Sequence, residues 1–204
     1  MDVLEKVHEI GIVPVVVLNK MEDTIPTLNT LVQGDIPIAE ICFRTSCAAD
    51  CIRLAAKEFP DVLVGAGTVI NREQCLEAIS CGAKFIVSPG FSQSVCDVCK
   101  EKGIPYLPGV VTPTEIMMAL ANGLTTLKFF PAGVFGGLKA IKALGAAFPS
   151  CKFMPTGGVD NSNLAEFMKC DKIIACGGSW LLKGGKEDQI RNCLEARRII
   201  KENR

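Results

Sequence analysis

Two hydrophobic patterns alternate along almost the whole chain. Short, continuously apolar or β-branched runs occupy residues 12–18 (IVPVVVL), 38–43 (IAEICF), 62–67 (VLVGAG), 84–89 (KFIVSP), 104–109 (IPYLPG), 126–131 (TLKFFP), 152–157 (KFMPTG) and 172–177 (KIIACG). Runs of this length without polar alternation predict strands buried on both faces, as in a parallel sheet covered by helices. Between them apolar positions recur at helical spacing. Examples are Cys75, Leu76 and Ile79 ahead of Cys81-Gly82, and Ile116, Ala119 and Leu120 ahead of Asn122-Gly123. A glycine just past the last periodic residue is where a helix is expected to stop.

The predicted strands start 20 to 26 residues apart, which leaves room for one strand, one short helix and two tight loops. Eight βα repeats predict an α/β fold in the form of a closed (β/α)8 TIM barrel, with 1–204 as a single domain. An open doubly wound sheet is the competing architecture. It would use fewer strands and carry a G-x-G-x-x-G turn after the first, and the segment after Leu18 has no such turn.

Composition narrows the partners. The 22 basic and 22 acidic residues are interspersed and sum to zero, so neither a nucleic acid nor an anionic membrane is expected as a partner. The longest apolar runs are far too short to span a bilayer, and Met1-Asp2 opens without a basic n-region. These features predict a cytoplasmic protein acting on a small molecule. The eleven cysteines then read as reduced thiols, with the Cys96–Cys99 pair assigned to helix packing. The single histidine, His8, reads as a surface or boundary residue of the first helix, and one histidine is too few for a metal site or a Ser/His pair.

A barrel carries its active site at the carboxyl ends of its strands. In TLKFFPA, alternation sets Lys128 on the face opposite Leu127 and Phe129. If the apolar pair faces the helices, Lys128 points into the barrel. Burial disfavours an ammonium, and the neutral amine is a nucleophile toward carbonyls. In IAEICFRT, Glu40 and Arg44 share one side of an extended chain. Glu40 could exchange protons inside the barrel, while Arg44, nearer the mouth, could clamp a carboxylate bidentately. Two ordinary alternatives stay open: a purely structural Lys128–Glu40 ion pair, and a lysine whose head reaches solvent. Two glycine signals, PTGGVD at 155–160 and CGGSW at 176–180, fall after the last two predicted strands, where such barrels commonly hold phosphate. Thr68, Pro89 and Thr156 fall at strand ends as possible lining residues, and Phe130 shares the parity of Lys128.

The motifs IAEICFRT, VGAGTVIN, FIVSPGF, LPGVVTPTE, LKFFPAG, PTGGVD and GGSWL, in this order and spacing, resemble the 2-keto-3-deoxy-6-phosphogluconate and 4-hydroxy-2-oxoglutarate aldolase family almost end to end. The resemblance implies a Schiff-base lysine at Lys128 and a general acid/base at Glu40. It implies that Arg44 and Thr68 hold the pyruvyl carboxylate and that Pro89 and Phe130 shape the pocket. Thr156, Gly157, Gly158, Gly178 and Ser179 would contact the distal hydroxyls and phosphate. A homotrimer, a keto-acid substrate, and no metal or organic cofactor are also implied. Many relatives carry arginine at the end of the first strand, whereas this chain has Val17 there, with Lys20 three residues on as the available cation. The phosphogalactonate isomer is an alternative substrate. The other readings are a metal-dependent aldolase, disfavoured by the lone histidine, and a silent sugar-phosphate-binding barrel, disfavoured by the presence of both Lys128 and Glu40.

Overall fold

Strands and helices alternate from the first turn onward. The computed structural model describes residues 2–204. In chain order the elements are α1 (Val3–Ile10), β1 (Ile12–Val16), α2 (Thr24–Gln33), β2 (Ile38–Cys42), α3 (Ala48–Glu58), β3 (Leu63–Gly67), α4 (Arg72–Ser80), β4 (Ile86–Val87), α5 (Gln93–Lys102), β5 (Tyr106–Leu107), β6 (Gly109–Val110), α6 (Pro113–Ala121), β7 (Thr126–Phe129), α7 (Gly137–Ala147), β8 (Lys152–Pro155), α8 (Leu164–Met168), β9 (Cys176–Gly178) and α9 (Lys186–Asn203). Short 3-10 turns at Met21–Asp23 and Trp180–Leu182 follow the first and last strands.

All strand pairs are parallel. Six strands run in the order β5-β4-β3-β2-β1-β9, and three more run β6-β7-β8. The two sheets make one ring. On one side, bridges Phe153↔Ile173 and Thr156↔Gly177 join β8 to the segment that ends in β9. There the Phe153 N–H donates to Lys172 O at 2.7 Å and the Ile174 N–H to Phe153 O at 3.1 Å. On the other side, β5 and β6 are one predicted strand interrupted at Pro108, which has no N–H to give the ladder. Its carbonyl still serves, accepting the Lys128 N–H at 2.8 Å. The barrel is therefore the expected TIM type, with two corrections of detail. The fifth predicted strand is two short ones, and the eighth, expected at 172–177, is regular only over Cys176–Gly178.

The local chemistry explains the element ends. At the entry to α6, Pro113 follows Thr112, whose hydroxyl accepts the Glu115 N–H at 3.3 Å while Glu115 Oε2 accepts the Thr112 N–H at 2.8 Å. A cap of this kind stabilises a helix by about 1 kcal/mol. Asn71 Oδ1 caps α4 by accepting the Gln74 N–H at 2.8 Å. Both caps close loops on the carboxyl-terminal face, where they hold the mouth in shape. Leu127 and Phe129 are fully buried on the outward side of β7, and Phe129 meets Phe153 edge to face at 6.4 Å and 86°. That packing forces Lys128 inward, as alternation predicts. All eleven cysteines are free thiols, ten of them buried, and His8 is exposed.

Candidate active site

Inside the ring Lys128 and Glu40 meet across the barrel. Lys128 Nζ lies 3.3 Å from Glu40 Oε1, with the two residues 2% and 0% exposed. Lys128 comes from the three-strand sheet and Glu40 from the six-strand sheet. Glu40 fits because its neighbour on β3, paired with Cys42, is Gly67. A Cβ at Gly67 would stand 2.2 Å from Glu40 Oε1. Glu40 Oε2 is buried with no hydrogen-bond partner among the described residues. A buried carboxylate oxygen left free costs energy, and it is open to a substrate hydroxyl or a water. The Phe130 ring centroid is 5.1 Å from the Lys128 amine, and the Phe130–Pro131 peptide bond is cis.

Lys128 opens upward onto a cavity of 420 Å³ at the carboxyl-terminal mouth. Arg44, Phe130, Thr156, Gly157, Gly158, Gly178 and Ser179 share its wall, so the structure brings most of the sequence-predicted residues to one place. Glu40 lies just beneath, reached past Lys128. Thr68 is not in the wall itself. It accepts the Arg44 Nε–H at 3.0 Å and so orients that guanidinium. Thr68 does this from a left-handed backbone, φ 57°, which costs a non-glycine residue on the order of 1 kcal/mol. Pro89, also outside the wall, packs its carbonyl so closely on β6 that a Cβ at Gly109 would be 2.1 Å from it. Lys20 is exposed at the start of the 3-10 turn and does not line the cavity.

The far end of the cavity is built by the glycine loops. Gly157 and Gly158 both have φ above 80°, a backbone that L-residues resist. Their carbonyls are held by the Gly133 N–H at 2.9 Å and the Asn163 Nδ2 amide at 2.9 Å. Gly177 gives Thr156 its space, since a Cβ there would stand 2.3 Å from Thr156 Oγ1. Gly178 lies under the Trp180 ring, which a Cβ would approach to 1.9 Å. Trp180 is in turn fixed by its indole N–H, donated to Asn161 Oδ1 at 3.0 Å.

Sequence reasoning missed five wall residues: Val15, Val159, Asp160, Trp180 and Lys183. Lys183 follows the second 3-10 turn, and only its closeness to GGSWL could have drawn attention to it. The Ser162 hydroxyl and N–H both donate to Asp160, and they hold its carboxyl below the usual range, with Lys183 adding to the effect. Val17, 42% exposed, occupies the wall where the resemblance led one to look for arginine. Cys42, beside Glu40, is no rival nucleophile, because burial and then the Glu40 charge push its thiol up to about 11. Among the described residues no group of three or more His, Cys, Asp or Glu side chains is placed to hold a metal ion. No described helix is long and apolar enough to cross a membrane.

Ring and mouth together define a TIM-type barrel with an amine–carboxylate pair at the floor of a polar pocket. The family model for KDPG and KHG aldolase matches residues 3–193, and the chain belongs to that family. A 2-dehydro-3-deoxy-phosphogluconate aldolase of Haemophilus influenzae is 40% identical over 98% of this chain and 94% of its own length. The crystal structure of the 2-keto-3-deoxy-6-phosphogluconate aldolase of Zymomonas mobilis ZM4 with 3-phosphoglycerate superposes with a TM-score of 0.92 at 32% identity, covering 98% of this chain and 97% of that one. The KDPG aldolase of Legionella pneumophila, with pyruvate captured at low pH as a covalent carbinolamine intermediate, gives a TM-score of 0.86 at 32% identity over 98% and 97% of the two chains.

Proposed function

We propose that this chain cleaves 2-keto-3-deoxy-6-phosphogluconate to pyruvate and glyceraldehyde 3-phosphate through a Schiff base on Lys128, and 4-hydroxy-2-oxoglutarate to pyruvate and glyoxylate by the same route. The observation that carries the reading is the buried Lys128–Glu40 pair opening onto the cavity. Membership of an aldolase family supports it, as does the carbinolamine described for the Legionella relative.

In the proposed sequence Lys128 gives its proton to Glu40, and the neutral amine attacks the C2 ketone. Glu40 returns that proton to the carbinolamine oxygen and relays a second one to it from the bound nitrogen, water leaves, and a cationic iminium remains as an electron sink. Glu40 then takes the proton of the C4 hydroxyl. The C3–C4 bond breaks, its electrons pass into the iminium to form an enamine, and the aldehyde leaves. Glu40 reprotonates the enamine at C3, and water releases pyruvate and the free amine. Arg44, steadied by Thr68, pairs with the substrate carboxylate. Pro89 and Phe130 shape the pocket, with Phe130 beside the amine. Thr156, Gly157, Gly158, Gly178 and Ser179 receive the distal hydroxyls and phosphate. Lys183 is the cation in that part of the wall, and Lys20 has no part in this reading. The chemistry calls for no metal or organic cofactor.

The same proposal treats 1–204 as one catalytic domain, cytoplasmic and trimeric. Val134 (78% exposed) and Phe135 (49%), on the loop before α7, support burial against another copy, and sedimentation velocity tests the trimer. Borohydride reduction in the presence of pyruvate tests the chemistry. A reduced pyruvyl adduct is expected on the peptide containing Lys128 and is absent in Lys128→Met. An adduct on another lysine, or none at all, refutes the assignment.

A further inference from the structure

Away from the mouth, two sulfurs touch. Cys75 on α4 and Cys99 on α5 are 24 residues apart in sequence, yet their Sγ atoms lie 3.6 Å apart across the helix pair. They are 0% and 2% exposed. Burial alone would make such thiols inert, but Cys99 also lines a separate cavity of 290 Å³. That cavity sits between the end of α5, the entry to β5 and the entry to β7, bounded by Gly103, Tyr106 and Leu124. A water-sized oxidant has room to reach the sulfur there, at the end of the barrel away from Lys128.

We propose that Cys75 and Cys99 are a dithiol modification site that hydrogen peroxide converts to an intramolecular disulfide. One sulfur, as the thiolate stabilised by the other's S–H, attacks an oxygen of the peroxide. The O–O bond breaks, hydroxide leaves and takes up the displaced thiol proton as water, and a sulfenic acid is formed. The second sulfur attacks the sulfenyl sulfur, its own proton leaves with the hydroxyl group as a second water, and the S–S bond closes. Two thiols are oxidised and one peroxide is reduced to two waters. The contact lowers the pKa of Cys75 and raises that of Cys99, so the shared proton rests on Cys99, whereas burial pushes Cys96 up. The two sulfurs, 3.6 Å apart, need to approach by only about 1.5 Å to reach bonding distance. Cys96 and Cys99, the C-x-x-C of the sequence, are not the pair in contact.

The test uses the full reduced chain treated with hydrogen peroxide, quenched, alkylated in denaturant and digested with trypsin without reduction. Peptides 73–84, containing Cys75 and Cys81, and 85–100, containing Cys96 and Cys99, are expected as one cross-linked species two hydrogen masses below their sum. Dithiothreitol should separate them. Cys75→Ser and Cys99→Ser should abolish the species, while Cys81→Ser and Cys96→Ser should leave it. Should a variant fail to fold, fragment ions of the wild-type species assign the linked residues directly. A cross-link that survives Cys75→Ser or Cys99→Ser overturns the proposal. So do fragment ions that place the bond elsewhere, and so does oxidation of Cys99 to sulfinic acid with no cross-link.

Discussion

Replacing Gly67 by alanine adds one methyl group to the wall against which Glu40 rests. The new Cβ would lie 2.2 Å from Glu40 Oε1 and 2.5 Å from its Cγ. Carbons settle no closer than about 3.5 Å, so Glu40 has to give way by about 1 Å. Gly67 has no left-handed φ, and the backbone accepts alanine; the whole cost falls on the carboxylate. A displacement of that size at a reacting group costs about 100-fold in rate, or about 2.7 kcal/mol of barrier. Overpacking costs a further 1–3 kcal/mol or so of stability, a fall in Tm of about 2–4 °C per kcal/mol for a chain of this length. Gly65, two residues earlier on the same face, supplies the control. A Cβ there would press first on the buried Phe85 ring, at 2.3 Å, instead of on the Glu40 carboxylate. Both variants should lose Tm in calorimetry, but only Gly67→Ala should lose kcat in a coupled assay of pyruvate release. Undiminished kcat in folded Gly67→Ala, or equal kcat losses in the two variants, would refute the placement of Glu40 as the proton-transfer group.

Glu40→Gln keeps the shape and removes the titrating oxygen, so kcat should fall by about 100-fold or more with a native circular dichroism spectrum; near-normal turnover would reject the role. Lys183→Met should raise KM for the phosphorylated substrate and leave 4-hydroxy-2-oxoglutarate unaffected, as steady-state kinetics on both substrates will report. Val17→Arg, placed in the cavity wall, should lower KM for the phosphorylated substrate alone, because it adds a cation to a pocket edge that has only an apolar side chain. Gly178→Ala, in contrast, drives a methyl into the Trp180 ring, and it should lower Tm and impair both substrates together.

How far the sequence could be read depended on the range of each interaction. Alternation alone placed Lys128 inward, because Leu127 and Phe129 had to be outward, and the same logic brought Arg44 to the side of Glu40. The break at Pro108 shows in the sequence only as a proline inside IPYLPG, which otherwise reads as one apolar run. Lys20 looked available because it is near Val17 in sequence. The chain turns at that point into a 3-10 helix, and the nearby cation at the wall is instead Lys183, 166 positions later in numbering than Val17. The cysteine motif pointed to Cys96 with Cys99, a spacing local to one helix. The sulfurs in contact belong to two helices, and helix-on-helix register leaves no mark in a single sequence.

The interruption at Pro108 divides responsibility for the reaction centre. Glu40 sits in the six-strand sheet and Lys128 in the three-strand sheet, and the 3.3 Å between their side chains exists only when the two sheets have docked. The carbonyl of Pro108 itself holds the Lys128 backbone N–H, so the joint that lacks a ladder bond is also the one that anchors the amine. On the proposed mechanism, covalent capture of pyruvate reports that the two sheets have docked. During refolding from denaturant the borohydride-trappable fraction should trail the recovery of helical signal, because a chain with either sheet alone carries half of a reagent and can neither be labelled nor do harm.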